Sequence, residues 1–106
     1  MAIEFNTENF HDTYILSVFE DTATDTISMF VDFPVNWHES IYEKKRLVFS
    51  NAFNYQVHEM PFSGSPEILE IEVMEQKESW TRFRLNTNAG YREVSCDSVE
   101  LLDEIN

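Results

Sequence analysis

The chain has 106 residues, 42% hydrophobic, 14% aromatic and 25% charged, with two glycines and three prolines. That length suits one domain, and the composition excludes collagen-like and low-complexity chains. Twenty acids against seven bases give a net charge of −13, a field that repels phosphate backbones and anionic membranes and attracts basic partners.

Apolar residues recur with period two, which argues for strands. Tyr14, Leu16 and Val18 alternate first. The polar run Asp21-Thr22-Ala23-Thr24 reads as a hairpin loop. Ile27, Met29, Val31 and Phe33 then share one face, and Pro34 ends that strand. Residues 36–44 read either as a short helix capped by Asn36 or as a loop. Leu47 and Phe49 begin another strand, and Phe53, Tyr55 and Val57 carry an alternation on to Met60. Pro61, Gly64 and Pro66 break the chain.

The third section alternates most clearly. Leu69, Ile71 and Val73 are expected inward, with Glu70, Glu72 and Met74 outward. Thr81, Phe83 and Leu85 follow inward, with Trp80, Arg82 and Arg84 outward, and Val94 and Cys96 face inward after a turn at residues 87–90. Matching apolar faces sets the register, because a slip of one residue would turn every side chain over. Leu69 should lie opposite Leu85, Ile71 opposite Phe83 and Glu70 opposite Arg84. In the next hairpin Phe83 should face Val94, Thr81 should face Cys96, and Arg84 should face Glu93, with Gly90 supplying positive φ in the turn. A row Glu70–Arg84–Glu93 would then cross the wet face. The tail from 97 to 106 reads as a strand continuation in preference to a closing helix.

At 12.5 kDa the chain should expose about 18,000 Å² unfolded and about 6,200 Å² folded, enough burial for a core without staples. Nine Phe, four Tyr and two Trp supply its bulk. The lone Cys96 has no partner for an internal disulfide and reads as a small buried hydrophobe. No leader-like segment and no apolar run near ~18 residues stands out, so the cytoplasm is the default location.

Charge is unevenly laid out. Residues 1–43 hold nine acids and no Lys or Arg; Lys44, Lys45 and Arg46 form one basic cluster, and Lys77, Arg82, Arg84 and Arg92 a second. His11-Asp12 is the only adjacent His/Asp pair. A metal-dependent hydrolase would need further ligands on helices, whereas a strand follows here, so a hydrogen bond that fixes the start of the first strand is the better reading. His38 and His58 have no ligand-spaced partner. No EF-hand loop, phosphate-binding glycine loop or nucleophile elbow occurs. The segment Trp37-His38-Glu39-Ser40-Ile41-Tyr42 sets aromatics among polar residues, and Trp37, His38 and Tyr42 are the candidate partner-binding residues.

The opening Asn9-Phe10-His11-Asp12-Thr13, the strand after it, the segment from Ile27 to Asp32 and Leu47-Val48-Phe49 resemble in layout small bacterial β-rich proteins of the YxiG-like and toxin-immunity-like groups. The resemblance implies an inhibitor role and brings no catalytic residues with it. The resulting expectation is an all-β, mainly antiparallel domain of about seven strands. It would form a sandwich or strongly curved sheet, with meander topology and at most a short helix. The expected function is non-catalytic binding of a basic protein, with no cofactor or metal. A homo-oligomeric structural module is the alternative, and a small metal-dependent hydrolase using His11 and Asp12 ranks third.

Overall fold

The computed structural model describes residues 10–36, 38–61 and 63–103. Eight strands form one antiparallel sheet: β1 (Thr13–Asp21), β2 (Thr26–Asn36), β3 (Ile41–Ser50), β4 (Phe53–Glu59), β5 (Glu67–Gln76), β6 (Thr81–Thr87), β7 (Gly90–Cys96) and β8 (Ser98–Asp103). The all-β antiparallel class is therefore as expected, with one strand more than the alternation suggested.

The spatial order is β4-β7-β6-β5-β1-β2-β3-β8. Two meanders, β1-β2-β3 and β5-β6-β7, account for most of it. The simple meander expectation fails at the corner where β3 runs into β4. There the chain turns at Asn51, whose φ is 51°, and leaves β2 behind. Opposite it, β7 runs into β8 at Asp97. Ser50 lies opposite Ser98 and Phe53 opposite Ser95, so one ladder continues around the bend. Asp97 N donates to Ser50 O at 3.1 Å, and the Asn51 side chain donates to the Asp97 carboxylate. The bend folds the sheet over its own apolar face, so Phe49 of β3 meets Phe83 of β6 with ring centroids 6.3 Å apart. Ile27, Met29, Val31, Leu47, Leu85 and Val94 fill the space around them.

The β6–β7 register is the expected one: Phe83 opposite Val94, Thr81 opposite Cys96, Arg84 opposite Glu93. Thr87 Oγ1 accepts from the amides of Ala89 and Gly90, each at 3.1 Å, and closes the turn. Gly90 has φ +150°, and a Cβ there would collide with the His58 carbonyl oxygen, so both conformation and space require glycine.

The β5–β6 register differs from expectation. Ile71 lies opposite Leu85 and Val73 opposite Phe83, because β5 carries bulges at Leu69 and Met74. Each bulge inserts a residue that the partner strand does not match. Ile68, not Leu69, is buried; Leu69 is 41% exposed and Val73 51%. The cross-strand row is accordingly Glu72–Arg84–Glu93, and Glu70 faces Asn86. A third bulge, at Leu16, shifts β1, so Thr13 and Ile15 point inward where Tyr14 and Leu16 were expected. Pro34 does not end β2: the strand passes through it, opposite Tyr42, and continues to Asn36. Residues 38–40 form a turn, with Glu39 N bonded to Asn36 Oδ1 at 3.2 Å, and β3 starts at Ile41, earlier than the apolar pattern suggested. The strand reading of the tail holds for β8.

Candidate binding surface

The cations of this chain are consumed by the fold. Lys44 pairs with Asp32, Lys45 with Asp103, Lys77 with Glu75, and Arg92 with Glu59, while Arg82 and Arg84 share Glu93. Arg46 is the exception among the described residues, and its buried Nε has no hydrogen-bond partner there.

Two of these networks are largely buried. On the inner face, Arg92 grips Glu59 through Nε and Nη2, both at 2.8 Å, and donates from Nη1 to the Tyr55 hydroxyl at 3.0 Å. Hydrogen bonding to Glu59 raises the pKa of Arg92 above its ordinary value, and burial raises that of Tyr55. On the outer face, Arg82 and Arg84 each reach Glu93 at 2.6 Å. The two guanidiniums, Arg84 first, hold the Glu93 carboxyl below its usual range. Arg84 lies 4.2 Å over the Tyr91 ring, which stacks on His58 at 4.8 Å. This lattice ties β4, β7 and β6 together.

Carboxylates dominate the next strand. Register and burial place Glu67, Glu70, Glu72 and Glu75 along the outer face of β5. At its start, the neighbouring Asp12 carboxyl raises the pKa of Glu67 above its ordinary value. His11 Nδ1 lies 2.9 Å from the Leu69 carbonyl, and Nε2 lies 3.4 Å from Asp12. The carbonyl contact, then Asp12, raises the His11 pKa. The imidazole therefore ties the start of β1 to β5, the role read for it from sequence. Among the described residues no group of three or more His, Cys, Asp or Glu side chains is placed to hold a metal ion. Burial pushes the Cys96 thiol up to about 12, so no thiolate nucleophile exists near neutral pH.

Of the three aromatic-segment candidates, Trp37 lies outside the described residues. His38 is exposed in the turn. Tyr42 is 37% exposed and packs against Tyr14, ring centroids 5.9 Å apart. Tyr42 thus stands beside the acidic start of β5, near Asp32 and Lys44 on the same outer face. What the sequence reading missed is the strip of exposed apolar residues bordering β5. Leu69 and Met74, two of its members, are the bulge residues themselves.

No family model matches the chain, and comparisons with curated proteins and with solved structures find no match either.

Proposed function

We propose that this chain is a non-catalytic binding protein for a basic protein partner, in the manner of an immunity-type inhibitor that covers a cationic site with carboxylates. The observation that carries the reading is the asymmetry of charge use. Six of the seven bases are paired with acids of the chain itself, Lys44 and Lys77 in exposed pairs and the rest partly buried. The exposed carboxylates of Glu20, Asp25, Glu39, Glu43, Glu70 and Glu100 meet no Lys or Arg among the described residues. A partner's cations therefore encounter acids whose charge is not already neutralised, and long-range steering speeds the encounter at low ionic strength.

Affinity capture by the immobilised chain at low salt, with elution by rising salt and identification of what elutes, tests the reading. The expected result is a cationic protein released as the field is screened. Its retention should fall when Glu70 and Glu72 are both changed to Lys. Recovery of nothing, or of proteins indifferent to salt and to the double substitution, contradicts it.

A further inference from the structure

Two strands end the sheet, β4 and β8, and β4 pairs with β7 alone. On the other side of β4 the last backbone bond is from Ala52 N to Asp25 O, 2.7 Å, and among the described residues no strand accompanies Phe53–Glu59 beyond it. The described chain begins and stops elsewhere. Asp12 N bonds to Ile68 O of β5, with β6 and β7 between that strand and β4, and Asp103 lies opposite Lys45 of β3. Met60 N donates to Ala89 O at 3.0 Å. Backbone groups alternate along an antiparallel ladder, so those of Val57 and Glu59 point away from β7.

The two terminal strands differ in charge. β8 carries Glu100 and Asp103, so a copy laid along it brings acids against acids. Residues 51–66 hold one Asp, Glu, Lys or Arg, namely Glu59, and Arg92 of the same chain holds that carboxylate at 2.8 Å. Exposed apolar side chains stand here instead: Phe53 at 44%, Val57 at 49% and Met60 at 77%. Phe53–Glu59 contains none of the lysines or prolines that commonly blunt an edge.

We propose that β4 pairs with β4 of a second copy of this chain, antiparallel about a two-fold axis at Val57. Val57 then lies opposite its own copy, Gln56 opposite His58 and Tyr55 opposite Glu59, so no two acids meet. Backbone bonds through Val57 and Glu59 join the two sheets into one. The same strand serves both partners and is used up in the pair, so assembly through it stops at two. A basic partner strand fits this edge less well, because the one carboxylate there is already paired. β5 lies three places away in the sheet, so the inference does not depend on the binding-protein reading above.

Sedimentation of the full chain over a wide concentration range, at low and at high salt, reads the assembly. The mass should rise with concentration from 12.5 kDa to twice that value. Salt should favour the dimer, because it screens the repulsion between two chains of charge −13. Association with a basic partner responds to salt in the opposite sense. Amide exchange on the ¹⁵N-labelled chain should slow at Val57 and Glu59 as the dimer forms, and change little at His58 and Met60, which face β7. Val57→Pro removes an outward donor and keeps the β7 ladder, while Val57→Lys sets two cations face to face. Each should weaken dimerisation at least about tenfold, because each blocks strand addition at the edge. Val73→Lys on β5 should leave it unchanged. Thermal melting checks that the variants fold, and the exchange measurement needs no variant. A chain that stays monomeric at every concentration and salt overturns the proposal. So does a dimer whose Val57 and Glu59 amides exchange as in the monomer, or one that survives both substitutions at Val57.

Discussion

The β6–β7 hairpin and the β1–β5 seam are built from the same kinds of residue, yet they are opposites. In the hairpin every pair from Thr81–Cys96 to Thr87–Gly90 is in register, one face is dry, and the other is laced by Arg82, Arg84 and Glu93. At the seam two opposed pairs join the strands among the described residues, and Leu69, Val73 and Met74 beyond them are exposed. The lesson is that alternation makes a strand, whereas uninterrupted register decides which of its apolar side chains are buried. Phe83 and Val73 show the contrast directly. They sit opposite each other on β6 and β5, yet Phe83 is 1% exposed and Val73 51%.

That pair also gives the largest expected effect. Phe83→Ala should cost about 3–5 kcal/mol, because it removes transfer energy and leaves a cavity. Val73→Ala should cost under about 1 kcal/mol, as exposed sites do. Thermal or urea unfolding of the two variants checks this, and similar losses would erase the distinction. Next in size is Glu59→Gln. It leaves the buried Arg92 guanidinium without its counter-charge, for a loss of about 3 kcal/mol. Glu67→Gln at the seam should not destabilise, since that carboxyl is already held toward its neutral form by Asp12.

Thr13 offers a smaller gain. Its hydroxyl is buried at the seam with no hydrogen-bond partner among the described residues. Thr13→Val keeps the shape and removes that unsatisfied group, so stability should rise by about 1 kcal/mol. A fall in melting temperature would show that the hydroxyl is satisfied after all.

The smallest effects concern pH, and their signs differ between the two regions. Glu93, depressed by Arg84 and Arg82, contributes stability above its unfolded value of about 4.5 and loses it as pH falls through the depressed value. Glu67 and His11 are both raised above their ordinary values of 4.5 and 6.5. Their contributions are complete below those values and are lost as pH rises through the raised ones. Acidification from pH 8 toward pH 5, an interval of about three units, should therefore slow opening at Thr13 and Ile68 while leaving the hairpin unchanged. Further acidification, through the depressed value of Glu93, should then weaken the hairpin. Amide exchange, corrected for intrinsic rates, reads both limbs. The seam's response should flatten in a double variant, His11→Ala with Glu67→Gln.

The hairpin was legible in the sequence because Thr81, Phe83 and Leu85 alternate without interruption and Gly90 marks the turn, so face matching admits one register. β5 was not. Its alternation reads Leu69, Ile71, Val73, but a bulge adds a residue that a period of two cannot register. The available signal was the doublets Ile68-Leu69 and Val73-Met74, adjacent apolar residues in an otherwise alternating strand. The corner at Asn51 was hidden for a related reason: the alternation on its two sides belongs to opposite ends of the sheet. The acidic character of the surface was legible from composition. Its placement was not, because it depends on which carboxylates the fold consumes in pairing with Arg82, Arg84 and Arg92.

Native-state hydrogen exchange tests the contrast between hairpin and seam most directly. The paired amides of β6 and β7 should exchange orders of magnitude more slowly than those of Asp12 and Ile15, which bond to Ile68 and Pro66 at the seam. Equal protection in the two places would contradict the account.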